Sequence, residues 1–196
     1  MLEEPCSSPH FLGSWQLQDL EICDGLIDYF EHHQGQQRPG VTGSGYLRLD
    51  VKDSVDMRIK PLQILDDNSE VAKRYFETLF YFYGDYIKQW PFLEGLFDSL
   101  DIGPFNLQRY MPGQPFRKVH TERAGLSSLH RMFVFMTYLN DVEEGGETCF
   151  SHYGLEIKPQ KGLTLLWPAE WTHAHCGNPV IKGCKYIITG WLHFHK

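Results

Sequence analysis

Past Gly103 the chain breaks into short β-prone runs, and this pattern does most to limit what it can fold into. The runs are Phe105–Met111, Arg131–Leu139, Leu155–Lys158, Leu163–Trp167 and Lys185–Phe194. Turn formers such as Gly145-Gly146, Lys161-Gly162 and Asn178-Pro179 separate them. Many short strands at this spacing predict an antiparallel sandwich or barrel. Upstream the texture is different. Leu17, Leu20, Ile22, Leu26, Ile27 and Phe30 recur near the 3.6-residue period and predict a surface helix over Gln16–His33. Gln34–Gly45 reads as an exposed loop and Ser54–Ile64 as an extended segment. Asp66-Asp67-Asn68-Ser69 supplies N-cap chemistry for a second helix, about Glu70 to Gln89, stopped by Pro91. Tyr75, Phe76, Leu79, Phe80, Phe82, Tyr83 and Tyr86 make that helix aromatic almost all round, so it is expected to bury against a sheet. Helices first and strands after give an α+β order with a mainly β core. We expect one domain over residues 1–196, with 1–103 as helical and extended support for a core at 104–196.

Charge narrows the function classes. Residues 1–100 hold 17 acidic and 8 basic side chains, and residues 101–196 hold 8 and 10. A chain with a formal net charge of -7 lacks the basic stripe that sequence-independent nucleic-acid binding needs. Its less acidic half is the place to look for a small bound anion. No run approaches the roughly 18 apolar residues of a membrane span, so no membrane partner is expected. The five cysteines, Cys6, Cys23, Cys149, Cys176 and Cys184, form no Cys-x-x-Cys pair. With an acidic Met1-Leu2-Glu3-Glu4 start, they read as reduced thiols in a cytoplasm.

His120-Thr121-Glu122 is the first feature that points to chemistry. On a strand, residues two apart project to the same face, so an imidazole and a carboxylate reach one ion. A second imidazole would complete a two-His-one-carboxylate set, which leaves open positions on non-heme Fe(II). Trp171-Thr172-His173-Ala174-His175 offers two candidates, His173 and His175.

Several further motifs stand in a fixed order around these residues: Arg109-Tyr110-Met111-Pro112-Gly113-Gln114, then Tyr138-Leu139-Asn140-Asp141-Val142-Glu143-Glu144-Gly145-Gly146-Glu147-Thr148, then His175-Cys176-Gly177-Asn178-Pro179-Val180. With His120-x-Glu122 and with Lys185 ten residues past His175, they make the chain resemble the Fe(II)/2-oxoglutarate-dependent dioxygenases, in the prolyl 4-hydroxylase-like branch. The resemblance covers about Phe105 to Phe194 and selects His175 over His173. It implies a double-stranded β-helix, or jelly roll, with N-terminal supporting helices. It implies His120, Glu122 and His175 as catalytic metal ligands and Lys185 as the cation for the far carboxylate of 2-oxoglutarate, with Tyr110 and Thr148 hydroxyls on the same carboxylate. Trp191 would wall that pocket, and Arg131 and Phe116 would face the prime substrate.

The implied cofactors are Fe(II) and the co-substrate 2-oxoglutarate, with ascorbate or another reductant. The partners are 2-oxoglutarate, O2 and a prime substrate, a peptide or small molecule. The implied reaction hydroxylates a C–H bond of a prolyl peptide or another amino-acid-like substrate, releasing succinate and CO2. A non-catalytic module that binds metal or a small dicarboxylate, as a sensor or assembly unit, is the alternative. Two departures from the branch stand out. Glu122 replaces its usual Asp, and the loop Pro115–Val119 is one residue longer, with Phe116 near an expected Tyr. His173, His193 and His195 are expected to hold no metal, and Cys176 to be a small packed residue.

Overall fold

Alternation of large apolar side chains decides how the layers of this protein stack. The computed structural model describes residues 10–42, 48–61, 63 and 69–194. Its helices are α1, Glu21–His32, and α2, Glu70–Gln89. Its strands in the first part are β1 Gly13–Gln16, β2 Arg38–Pro39, β3 Val55–Ile59, β4 Leu100–Ile102, β5 Phe105–Tyr110 and β6 Phe116–His120. They continue with β7 Arg131–Tyr138, β8 Glu144–Gly145, β9 Thr148–Phe150, β10 Leu155–Ile157, β11 Leu163–Pro168, β12 His175–Gly177, β13 Val180–Lys182 and β14 Lys185–Phe194.

The large sheet runs in the order β1-β11-β7-β14-β5-β3-β2, with β4 also paired to β14. Along β7, Phe133 and Phe135 point to one face and Val134, Met136 and Tyr138 to the other, as period-two geometry requires. The first face packs on α1 through Ile22, Leu26 and Phe30 and on α2 through Tyr75, Leu79, Tyr83 and Tyr86. The second face packs on a smaller sheet, ordered β10-β9-β12-β6, through residues such as Trp167 and Phe150. The result is helices, large sheet, small sheet. A hydrogen-bonded chain, Tyr75 Oη to Thr137 Oγ1 at 2.9 Å and on to Thr164 Oγ1 at 2.8 Å, satisfies the buried hydroxyls between α2, β7 and β11.

The structure corrects the expected architecture. The α+β order holds, but the sheets do not close or curl into a double-stranded β-helix or jelly roll. Among the described residues the hydrogen bonds form an open eight-stranded sheet, a separate four-stranded one and the two-stranded pair β13-β8. The physical reason is ladder length. Strands β9, β10 and β12 are three residues each, the β12–β6 register shifts between His175 and Gly177, and the connections turn at positive-φ glycines such as Gly145, Gly146 and Gly162. Strand β6 meets the N-terminal part through one bridge, Lys52 to Phe116, rather than through a ladder.

Local expectations differ in smaller ways. Helix α1 starts at Glu21, because Gly13–Gln16 is an edge strand paired to β11. Helix α2 matches its expected span, although Phe80 and Tyr81 are exposed, so its apolar surface is a wide stripe rather than a full circumference. Val55–Ile59 is the strand inside the extended segment 54–64, of which residues 62 and 64 lie outside the described residues. Residues 66–68 of the expected cap also lie outside them; Ser69 occupies the N-cap without a side-chain cap bond. Arg38–Pro39 forms a short strand within the expected loop, whose residues 43–45 are likewise outside. No helix among the described residues is long and apolar enough to cross a membrane.

Gly190, in the middle of β14, has no room for a side chain between Phe135 of β7 and Phe105 of β5. A Cβ there would lie 2.6 Å from Phe135 Cζ and 2.7 Å from Phe105 Cβ. Gly190→Ala is therefore expected to cost about 1–3 kcal/mol through overpacking. A urea unfolding midpoint is the measurement, and an unchanged midpoint would refute this account of the packing.

Candidate metal centre

Strand pairing brings the metal-binding set together. In the β6–β12 ladder His120 stands directly opposite His175, so two imidazoles far apart in sequence become cross-strand neighbours. Their ring centroids are 4.4 Å apart. Glu122, just past the end of β6, turns its Oε1 between them, 3.5 Å from His120 Nε2 and 3.6 Å from His175 Nε2. The ligand atoms of the three residues all lie within 4.8 Å of one another.

Backbone carbonyls set the tautomers. His120 Nδ1 donates to Lys118 O at 2.8 Å, and His175 Nδ1 donates to His173 O at 2.9 Å. A carbonyl can only accept, so each Nδ1 carries its hydrogen and each Nε2 is the ring atom left facing the centre, where it can ligate a metal once it is free of a proton. Burial works to raise the Glu122 pKa, but the adjoining His120 and His175 outweigh it and hold the carboxyl well below its usual range. Two imidazole nitrogens and an ionised oxygen facing one point can hold a cation between them. That donor set fits the two-His-one-carboxylate chemistry of Fe(II).

A further layer fixes Glu122. Its second oxygen, Oε2, accepts from Trp191 Nε1 at 3.0 Å and from Arg131 Nη1 at 3.3 Å. Arg131 Nη1 also donates to the Glu122 carbonyl at 2.9 Å, and its guanidinium lies 3.6 Å over the Trp191 ring. The sequence reading assigned Arg131 to the prime substrate and Trp191 to the co-substrate wall, and missed that both hold the carboxylate ligand. Phe116 stacks on the His120 ring, with centroids 3.9 Å apart, and so buttresses a ligand.

Lys185 opens β14 directly opposite Tyr110 on β5, on the face that packs against the small sheet. Its side chain is only 4% exposed. Its Nζ donates to Gly146 O at 2.9 Å and lies 4.7 Å from the Tyr110 ring centroid. A Cβ on Gly177, two residues past His175, would stand 3.7 Å from that Nζ, so the ammonium borders the histidine strand. Burial lowers the Lys185 pKa to about 8, partly offset by the Glu147 charge. No carboxylate pairs with this ammonium among the described residues, which is costly for a cation so deep in the protein. Thr148 is buried nearby in the same layer and accepts from Tyr138 Oη at 2.6 Å.

Tyr110 Oη donates to Gln108 Oε1 at 3.0 Å, Gln108 Nε2 to Asp56 Oδ2 at 3.0 Å, and buried Lys52 pairs with Asp56 at 2.5 Å. This polar chain behind Tyr110 had no signal in the sequence, since its members look like ordinary strand polarity until β3 pairs with β5. His173 is not a ligand: it is 2% exposed and its Nε2 donates to His10 O at 2.7 Å. His193 is half-buried beside Gly103, and His195 lies outside the described residues. Cys176 sits opposite Cys149 on the outer side of the small sheet, both free thiols.

With this geometry in place, comparison with known proteins is direct. Residues 105–193 match the model of the 2OG-Fe(II) oxygenase superfamily. The chain is 30% identical over 92 residues to the prolyl 4-hydroxylase subunit alpha-2 of Gallus gallus, covering 43% of this chain and 17% of that one. It is 33% identical over 114 residues to the probable prolyl 4-hydroxylase 9 of Arabidopsis thaliana, covering 45% and 40%. The chain thus spans well under half the length of these curated relatives. A prolyl-4-hydroxylase structure from Pseudomonas putida shares the fold with a TM-score of 0.72 at 17% identity, over 95% of this chain and 94% of that one. Residues 105–193, which hold the intact His-Glu-His set, match the Fe(II)/2-oxoglutarate dioxygenase superfamily, and the chain as a whole bears a strong structural likeness to prolyl 4-hydroxylase-like enzymes.

Proposed function

We propose that this protein is an Fe(II)- and 2-oxoglutarate-dependent dioxygenase that hydroxylates a C–H bond of a prolyl peptide or another amino-acid-like substrate. The observation that carries the reading is the convergence of His120, Glu122 and His175 beside a buried, carboxylate-free Lys185. The three ligands would hold Fe(II). When bound, iron would couple the reduction of dioxygen to the oxidative decarboxylation of 2-oxoglutarate, placing one oxygen atom in succinate and the other in the substrate, with release of CO2. The protein's own part is positioning. Lys185 offers the ammonium for the far carboxylate of the co-substrate, with the hydroxyls of Tyr110 and Thr148 in the same buried layer. Arg131 and Trp191 keep Glu122 from rotating, and Phe116 keeps the His120 ring flat against the site. The apolar shell of Phe150, Trp167 and Ile187 excludes bulk water behind the ligands.

We take residues 1–103 as support for 104–196 within one domain, because α1, α2 and β7 share a single apolar core. A cytoplasmic setting accords with the free thiols of Cys23, Cys149, Cys176 and Cys184. The test is a substrate screen read by succinate release, run with Fe(II), ascorbate and air, followed by the mass of the consumed compound. Succinate formation that needs iron and dioxygen, with a gain of one oxygen atom in a substrate, is the expected result. Binding of 2-oxoglutarate without its consumption across the screen would instead favour a non-catalytic binding module.

A further inference from the structure

One cleft outside the ligand set is built for charge of the opposite sign to the chain as a whole. It encloses about 390 Å3 between β3, β7 and β14 and is lined by Arg58, Ser127, His130, Arg131, Trp191 and His193 among others. No carboxylate is among its described lining residues, in a chain whose formal net charge is -7. The two arginines differ in what they already hold. Arg131 donates to Glu122, whereas Arg58, exposed on β3, has no ion pair among the described residues. The two are close enough for the Arg58 charge to act on Arg131. Glu122 already answers the Arg131 charge, so Arg58 is the guanidinium left to attract an incoming anion, and the planar forks of both match the oxygens of a carboxylate or phosphate.

The cleft also reaches the metal centre. Its walls Arg131 and Trp191 are the two residues that donate to Glu122 Oε2. Lys185 is not among the lining residues, so the anion expected here is distinct from the far carboxylate of the co-substrate. We infer that the prime substrate carries an anionic group, a carboxylate or a phosphate, that seats against Arg58 and Arg131 and so holds the neighbouring carbon skeleton along Trp191 toward the metal ligands. The inference rests on the proposed oxygenase reading and adds the substrate class to it.

Binding of matched probes tests it without turnover. The full chain, loaded with Zn(II) in place of iron and saturated with 2-oxoglutarate, is titrated by ligand-observed NMR. The pairs are the N-acetyl methylamides of aspartate against asparagine and of phosphoserine against serine, so that each pair differs only in the side-chain anion. The acidic member of at least one pair is expected to bind about tenfold more tightly than its neutral counterpart, the size of one charge-assisted contact. The pair with the larger ratio identifies carboxylate or phosphate. Arg58→Glu should remove the preference and Arg58→Lys should keep most of it, with 2-oxoglutarate affinity unchanged in both. Arg58 is exposed, so these variants leave the core intact. Equal affinities within both pairs, or a preference that survives Arg58→Glu, would overturn the inference. Failure of the chain to bind 2-oxoglutarate would count against the oxygenase reading instead, since the acidic-to-neutral ratio is readable either way.

Discussion

Glu122→Ala, and separately His175→Ala, is expected to abolish iron-dependent succinate formation. The argument is geometric. Removing either residue leaves two ligands on an ion that otherwise has three, and the remaining pair no longer defines a face. Loss of groups that merely orient a metal ligand already costs about 10–100-fold in metal affinity or activity. Loss of a ligand itself should therefore exceed about a hundredfold. Metal content after gel filtration is the direct readout and succinate release the functional one. The fold should survive, because neither side chain belongs to the apolar clusters that hold the layers together. Arg131→Gln provides the graded comparison: it leaves all three ligands but frees one donor from Glu122 Oε2, and should fall within the 10–100-fold range. Unchanged turnover in both ligand variants would sink the assignment.

Lys185→Met should show opposite effects on stability and on co-substrate binding. Burial lowers the Lys185 pKa from its ordinary 10.5 to about 8. Between those values the unfolded chain holds a proton that the folded chain has lost, so unfolding free energy rises as pH rises from 8 to 10.5. Below pH 8 the folded protein carries the full cost of a buried cation, on the order of 3 kcal/mol. The methionine variant removes that cost and should be more stable than the parent at pH 7 by up to about that amount. The difference should shrink toward zero by pH 10.5. Urea unfolding across pH 7–10 measures it. Affinity for 2-oxoglutarate moves the other way. Loss of a charge-assisted contact of about 1.5–3 kcal/mol weakens binding about ten- to a hundredfold. In the parent protein, binding near pH 8 and above should take up a proton, visible as a buffer-dependent heat in calorimetry. A lysine variant that is less stable than the parent and binds 2-oxoglutarate equally well would refute both halves.

The ligand set was legible because its parts are local: His120 and Glu122 share strand parity, and His175 heads a motif with Pro179 and Lys185 at fixed offsets. Residue chemistry alone left His173 open, and only the chain near His10 shows why it is excluded, since that carbonyl occupies its Nε2. Contacts across large sequence separations were not legible. Arg131, Trp191 and Glu122 meet only after β7 and β14 pair, and Arg58 joins them only because β3 lies beyond β5. Strand β1 was hidden for a similar reason, since four residues carry too little periodicity and its partner lies on the far side of the sequence. The closed jelly roll failed at a finer level. The motifs report residue order around the metal, whereas closure depends on how many hydrogen bonds each short strand contributes, and three-residue strands contribute few.

The direct pairing of His120 with His175 also bears on how the protein matures. Side chains alternate along a strand, so a slip of one residue between β6 and β12 would turn one imidazole to the outer surface while its partner stayed inside. Iron captured by both rings can therefore form only on the correct alignment, and once held it ties an otherwise lightly secured edge strand to its neighbour. Metal loading is thereby tied to strand register: a chain with β6 and β12 misaligned by one residue would present one imidazole too few on the ligand face.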